Sequence, residues 1–186
     1  MERWSCLLIL ALVLLACRES SNTVTLPPSS TDNLLINGTF EVNSTPTLVG
    51  WRANSSDTAL VAFSTDAPPD GGRYSVRLKN VWTFPGEVMA VLPTSLGTHR
   101  YRLSGWGRSS PQPTAQGFMR LSLQNSGVVF SSKESFFSDS TWTLYSFTDT
   151  VTAAIGDSIH VILSGALDQF TTGYTFFDLL KLEKLD

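Results

Sequence analysis

The amino-acid sequence predicts an all-β domain with the architecture of an antiparallel β-sandwich or jelly roll. From residue 33 onward, short runs alternate apolar and polar side chains with a period of two, which is the pattern of half-buried strands. Clusters of turn-forming residues, such as residues 68–72 and 111–113, separate about ten such runs, and that spacing is typical of sandwiches. The periodicity of amphipathic helices is scarce in the same stretch.

Length and composition narrow the functional classes. The chain has 186 residues, of which 42% are hydrophobic and 11% aromatic, so it has enough apolar material for one folded domain. Its 13 basic and 16 acidic residues give a net charge of −3. Because nucleic-acid binding normally requires a basic face, we expect no nucleic-acid partner.

The first segment predicts export and a lipid anchor. The apolar run from Cys6 to Ala16 is shorter than the ~20 residues that span a bilayer, and it fits the core of a signal peptide. The run ends Leu14-Leu15-Ala16-Cys17, which resembles the lipobox of bacterial lipoproteins, although Leu15 is not the commonest residue at its position. We therefore expect residues 1–16 to be a lipoprotein signal peptide and Cys17 to be acylated. An ordinary secretory signal or a buried cysteine is the alternative.

The next segment, residues 17–32, predicts a flexible tether after the lipidated cysteine. It is rich in Ser, Thr and Pro and has few large apolar groups. We expect the folded domain to occupy residues 33–186. The protein would then be exported and held in the bacterial cell envelope through its N-terminal lipid alone. With Cys6 removed and Cys17 acylated, no disulfide is expected in the domain.

The strands follow in order along the domain. The predicted strands are Leu34–Ile36, Leu60–Ser64, Tyr74–Lys79, Glu87–Leu92, Arg100–Arg108, Phe118–Gln124, Val128–Ser131, Trp142–Thr148, Ile159–Ser164 and Tyr174–Leu182. Alternation assigns Met119, Leu121 and Leu123 to the core. It also points Trp106 outward beside charged side chains, where core packing would not place it.

Five motifs in order resemble the CenC-like carbohydrate-binding modules. They are NLLINGTFE at 33–41 followed by Gly50-Trp51, GRYSVRL at 72–78, YRLSGWGR at 101–108, WTLYSF at 142–147 and FFDLLKL at 176–182. The resemblance implies a galactose-binding-like jelly roll over residues 33–186 and recognition of a polysaccharide or glycan without catalysis.

The same resemblance implies one structural Ca²⁺ that ties the first segment to the last strand. Glu41 matches the opening carboxylate and Asp178 the closing one, with backbone carbonyls near Asn37 and Gly38 as further oxygens; such hard oxygens suit calcium. Leu179 departs from the pattern, because the family often has a second Asp there. The alternative makes Glu41 a hydrogen-bonded loop residue and Asp178 a polar group at a strand end.

The candidate ligand-binding residues are an aromatic and polar group. Sugars stack on aromatic faces while polar side chains hydrogen-bond to hydroxyls. The expected group is Trp106, Arg108, Trp82, Arg77, Arg120 and Gln124. The alternative is that a loop covers Trp106 and that the arginines are solvated or stack on it.

Two other functions remain as alternatives to glycan binding. A structural or adhesion sandwich that binds a protein partner would share the architecture without the sugar site. An enzyme is not expected, because no spacing singles out a pair of carboxylates, His99 and His160 are far apart, and no G-x-S-x-G motif occurs.

Overall fold

A computed structural model describes residues 33–81, 84–111, 115–165 and 173–186 of the chain. The predicted signal segment, the lipidation residue Cys17, the tether and Trp82 lie outside the described residues. No helix within the described ranges is long and apolar enough to cross a membrane.

The described residues form twelve strands, and the prediction of an all-β fold is confirmed. The strands are β1 Glu41–Val42, β2 Thr45–Pro46, β3 Arg52–Ala53, β4 Val61–Ser64, β5 Ser75–Lys79, β6 Glu87–Pro93, β7 Gly97–Ser109, β8 Gly117–Asn125, β9 Val128–Phe137, β10 Thr143–Ala153, β11 Ser158–Gly165 and β12 Tyr174–Lys184.

Two five-stranded antiparallel sheets make up the sandwich. The first, called here the β12 sheet, has the order β10-β7-β12-β5-β4, and the second, the β11 sheet, has the order β3-β6-β11-β8-β9. Strands β1 and β2 form a separate two-stranded ribbon. Several connections pass from one sheet to the other, as from β5 to β6 and from β11 to β12, so that neighbours along the chain often belong to different sheets.

The core lies between the two sheets and is built from the predicted inward faces. Leu78 and Leu103 of the β12 sheet and Leu121 of the β11 sheet are all 0% exposed. Met119 and Leu123 are buried beside them. Close packing of this kind is what the alternation of apolar and polar side chains predicts.

The first described residues are joined to the last strand. The Asn33 side-chain amide donates to the Leu180 carbonyl at 3.0 Å, and its oxygen accepts from the Leu182 amide at 3.0 Å. The Leu34 amide donates to the Leu182 carbonyl at 2.8 Å. A register shift in β12 between Asp178 and Lys181, with Leu179 at φ 51°, interrupts the ladder at this place. The segment thus closes the sheet next to β12.

The predicted strand Leu34–Ile36 is not a strand, and three short strands were not expected. Residues Asn37, Phe40, Asn43 and Ser44 have φ between 51° and 59°, a conformation that interrupts an extended chain. The segment therefore forms tight turns with the short ribbon β1–β2. Strands β9 and β10 extend further than predicted, to Phe137 and Ala153.

The sandwich has two distinct ends. The entry end holds Asn33, the β6–β7, β8–β9 and β10–β11 connections and the C-terminus. The far end holds the β5–β6, β7–β8, β9–β10 and β11–β12 connections. These two names are kept below.

Candidate functional site

The structure divides the predicted ligand-binding residues between two opposite faces. Trp106, Arg108 and Arg77 point outward from the β12 sheet, whereas Arg120 and Gln124 point outward from the β11 sheet. The expectation of one surface is therefore corrected. The reason is that each strand alternates about the same core, so outward residues of the two sheets face away from each other. Trp82 is outside the described residues.

On the β12 sheet, Arg108 is held in a structural cluster. Its guanidinium pairs with the Asp66 carboxylate and lies 4.2 Å from the centroid of the Phe176 ring. The Trp142 indole donates to the same carboxylate at 3.0 Å. Burial lowers the pKa of Arg108. The alternative had the arginines solvated or stacked on a loop-covered Trp106, whereas Arg108 stacks on Phe176 and Trp142.

Trp106 keeps its predicted outward direction and is half-buried. Across the neighbouring strands it lies opposite Leu144 of β10 and Asp178 of β12. Its ring is therefore partly shielded and lies beside a buried carboxylate. These neighbours make Trp106 a weaker stacking surface than its sequence position indicates.

The β11 sheet carries two parallel rows of outward side chains, which together are called the β11 face. The first row crosses all five strands, and the register pairs its members from strand to strand: Arg52, Met89, Ile162, Arg120 and Glu134. The second row is next to it toward the far end: Glu87, Ser164, Phe118 and Phe136. Five strands at ~4.8 Å spacing give a face about 19 Å wide.

An exposed aromatic ring stands at one side of the β11 face. Phe136 is 59% exposed, and its ring centroid lies 5.4 Å from that of the buried Phe118. The Arg120 guanidinium lies 4.9 Å from the Phe118 centroid and donates through Nε to Glu134 Oε1 at 2.7 Å. A ring face and a fixed, planar polar group are thus adjacent. That combination suits a ligand with one apolar face and a ring of hydroxyls.

The other side of the β11 face holds a pocket of about 230 Å³ lined by Arg52, Ala53, Asn54, Glu87 and Met89. Asn54 fixes the main chain of Glu87. Its side-chain oxygen accepts from the Glu87 backbone amide at 3.0 Å, and its backbone amide donates to the Glu87 carbonyl at 3.0 Å. Burial raises the pKa of the Glu87 carboxyl, and the nearby Arg120 charge opposes that rise. The Glu87 backbone is therefore fixed, and its partly buried carboxyl group lines the pocket.

The middle of the β11 face is a shallow depression between longer side chains. Ile162 and Ser164 point outward, as does Ser122 in the next row toward the entry end, yet each is no more than 6% exposed. Gln124 lies further toward the entry end, where its amide donates to Ser122 Oγ at 3.0 Å. Burial lowers the pKa of the nearby His160, which favours the neutral ring, and its Nε2 lies 2.9 Å from Ser158 Oγ.

Sequence reasoning missed three residues of this face, namely Phe136, Glu134 and Glu87. The predicted β9 ended at Ser131, so Glu134 and Phe136 were not placed on a strand. The sequence gives little signal here, because Glu134-Ser135-Phe136-Phe137 does not alternate polar and apolar side chains.

The two carboxylates predicted for calcium do come together. Asp178 is 0% exposed; its Oδ1 accepts from the Leu179 amide at 2.7 Å, and its Oδ2 has no hydrogen-bond partner. Burial, reinforced by the Glu41 charge, raises the pKa of Asp178 to about 7. Glu41 Oε2 accepts from the Arg73 amide at 2.9 Å. A buried carboxylate oxygen normally has a hydrogen-bond donor or a cation as its partner. Asp178 Oδ2 has no donor, so it is a candidate cation ligand.

The loop between β4 and β5 approaches both carboxylates through glycines. A Cβ at Gly72 would collide with the Glu41 carboxyl group, and a Cβ at Gly71 would collide with Asp178 Oδ2. The backbone can approach the acids only because these positions lack side chains. Within the described ranges no third acidic, histidine or cysteine side chain joins the pair. The two carboxylates offer hard oxygens, which fit a cation such as Ca²⁺ and not a transition metal. The predicted carbonyl ligands of Asn37 and Gly38 already accept hydrogen bonds from Trp51 and Leu180.

Solved structures share this fold at low sequence identity. A domain of tailspike protein 4 of bacteriophage CBA120 aligns with a TM-score of 0.61 and 15% identity over 82% of this chain. The protein described here spans only 21% of that tailspike chain. A family 16 carbohydrate-binding module aligns with a TM-score of 0.57 and 19% identity, over 81% of this chain and 99% of the module. The CBM22-2 xylan-binding domain of Paenibacillus barcinonensis Xyn10C aligns with a TM-score of 0.55 and 13% identity, over 73% of this chain and 91% of that domain.

These likenesses show the fold, an antiparallel jelly roll of the kind found in carbohydrate-binding modules. No protein-family model matches the chain, and no curated protein matches it either. Membership of the CenC-like family therefore stays a prediction from the five motifs.

Proposed function

We propose that this chain is a non-catalytic carbohydrate-binding module that holds a polysaccharide against the β11 face. Phe136 supplies the stacking surface, Arg120 and Glu134 hydrogen-bond to hydroxyls, and Glu87 accepts hydrogen bonds in the pocket. The single observation that carries the proposal is the exposed Phe136 ring beside the fixed Arg120–Glu134 pair. The carbohydrate-binding modules that share the fold support it.

The charges of the β11 face favour a neutral glycan. Two arginines, Arg52 and Arg120, are balanced by two carboxylates, Glu87 and Glu134. Such a face offers donors and acceptors in similar number and no net charge, which suits hydroxyl groups. Binding is accordingly expected to be weak and insensitive to salt.

Affinity electrophoresis against a panel of soluble polysaccharides tests the proposal. Retardation on at least one neutral glycan is expected, and Phe136→Ala is expected to abolish it. Phe130→Ala is the matched control, since Phe130 is an equally exposed phenylalanine on the same strand near the entry end. The absence of retardation on every glycan, or equal retardation of both variants, would reject this site and favour the protein-binding alternative.

The proposal includes the cell-envelope location. Acylation of Cys17 would anchor the exported domain, because several acyl chains hold a protein on a membrane far more firmly than one. Metabolic labelling with radioactive palmitate is expected to mark the chain and to fail for Cys17→Ser. Cys6→Ser, which lies in the segment removed, is the control and is expected to label normally.

The proposal also includes a structural Ca²⁺ held by Glu41 and Asp178 next to the Gly71–Gly72 backbone. When bound, the cation neutralises the two carboxylates, which otherwise repel each other in a buried site. Glu41 lies near the start of the described chain and Asp178 on β12, so their attachment to one cation stabilises the closure that Asn33 begins.

A further inference from the structure

Exposed apolar side chains are concentrated at the entry end of the sandwich. Leu96, Val128, Phe130 and Ile155 are 60%, 57%, 63% and 84% exposed, and all lie in or beside the connections at that end. Toward the far end, the described residues expose fewer large apolar groups: Phe84, Phe136 and Leu144. Large apolar side chains that are exposed at one end of a domain indicate an interaction site.

Two of the connections that carry the apolar residues are bonded to each other, and the third is braced locally. The Asn125 side chain at the β8–β9 turn donates to Asp157 of the β10–β11 connection at 2.9 Å. The Asp157 carboxylate also accepts from the Ala154 amide at 2.7 Å, next to Ile155. The His99 ring is 3.0 Å from the Leu96 carbonyl. These bonds fix the backbone beside Val128 and Ile155 relative to each other and brace the backbone at Leu96.

The chain also enters the domain at this end. Asn33 bonds to Leu180 and Leu182, and β12 finishes at the entry end two residues later at Lys184. Only residues 18–32 separate Asn33 from Cys17. If this segment is the flexible tether that its composition predicts, its end-to-end distance is about 20 Å. A lipid on Cys17, which rests on the proposed function, therefore keeps the entry end next to the bilayer.

We propose that the entry end docks on a lipid bilayer, with Leu96, Val128, Phe130 and Ile155 inserted at the headgroup boundary. The occupant is the bilayer because the chain leads to the membrane from this end and the apolar side chains project from it. The charges there include both signs, with Asp186 accepting from the Arg100 amide and lying 3.6 Å from His99. Docking consequently depends on apolar contact and little on lipid charge.

Docking in this orientation directs Phe136 and the far end away from the membrane. The β11 face then stands open to polysaccharide outside the bilayer. The N-terminal lipid supplies attachment, and the apolar projections set the orientation.

Depth-dependent fluorescence quenching tests the proposal on the acylated full-length protein in phosphatidylcholine vesicles. The exposed Ala154→Cys, beside Ile155, is labelled with an environment-sensitive dye, and the exposed Ser140→Cys at the far end is the matched control. Quenching by spin-labelled lipid is expected to be at least fivefold stronger at position 154. Equal quenching at the two positions would overturn the proposal.

A second variant separates lipid contact from other causes. Ile155→Asp combined with Phe130→Asp is expected to reduce quenching at position 154 to that at position 140, while the lipid anchor still carries the protein with floated vesicles. Unchanged quenching in this variant would overturn the proposal. A label that is shielded from aqueous iodide but not quenched by lipid would also overturn it, because that result indicates a protein contact. Failure of the parent protein to float would instead contradict the acylation of Cys17.

Discussion

Phe136 lies directly opposite Phe118 across the β8–β9 pair, and only Phe136 of the two is exposed to solvent. Phe118 contacts both groups: its ring centroid lies 5.4 Å from that of Phe136 and 4.9 Å from the Arg120 guanidinium carbon. The buried ring thus positions both groups that we assign to ligand binding. An aromatic platform fixed in this way loses little conformational freedom when a sugar stacks on it.

Replacement of Arg120 by Lys is expected to weaken glycan binding about tenfold, because lysine keeps the charge but loses the planar fork that meets Glu134. Isothermal titration calorimetry with the polysaccharide found by electrophoresis measures the change. Arg100→Lys, an exposed arginine on the other sheet, is the control and is expected to bind like wild type. Unchanged affinity in Arg120→Lys would remove Arg120 from the site.

The raised pKa of Glu87 predicts a pH dependence of stability. Below its ordinary pKa of 4.5, Glu87 is protonated in both the folded and the unfolded chain. As the pH rises above that value, the unfolded chain releases this proton first, so the contribution to the free energy of unfolding falls until the folded-state pKa is passed. Glu87→Gln is expected to remove this decline in urea titrations between pH 4 and pH 7. Parallel curves for wild type and variant would contradict it.

Calcium is expected to raise the melting temperature by about 5–10 °C when present at 100 times its Kd, relative to EDTA. Differential scanning calorimetry measures the shift. Asp178→Asn is expected to abolish the difference, because it removes the carboxylate whose Oδ2 lacks a partner. Asp149→Asn, a half-buried acid on β10, is the control and is expected to keep it. A calcium shift that survives in Asp178→Asn would place the cation elsewhere.

Gly72→Ala is expected to abolish the same calcium shift although both acids remain. The added Cβ would collide with the Glu41 carboxyl group, so the carboxylate must move away from Asp178. Arg73→Ala is the neighbouring control; it keeps the backbone amide that donates to Glu41 and is expected to respond to calcium like wild type. An unaltered response in Gly72→Ala would show that Glu41 is not a ligand.

Asn33→Ala is expected to destabilise the domain by about 1–3 kcal/mol, since the side chain bonds to Leu180 and Leu182 of the last strand and leaves these groups unpaired when removed. Chemical denaturation monitored by tryptophan fluorescence measures the loss. A change below about 0.5 kcal/mol, the usual range for surface positions, would mean that the closure contributes little to stability.

Much of the fold follows from local patterns. Alternation along β8 placed Met119, Leu121 and Leu123 in the core, and alternation along β7 turned Trp106 outward. These predictions succeed because the side of a strand on which a residue lies depends only on its position in that strand. The short ribbon β1–β2 was missed because left-handed residues such as Phe40 interrupt the pattern.

The sequence by itself determined the fold class, the inward residues and the two acids, Glu41 and Asp178, that approach each other. Only the tertiary structure decided that Trp106 and Arg108 lie on the opposite face from Arg120, that Phe136 is the exposed ring beside it, and that the apolar projections collect at the entry end. The physical reason is that a period of two specifies the two sides of one strand. It does not specify the sheet that the strand joins, because that choice depends on packing between residues far apart in the chain.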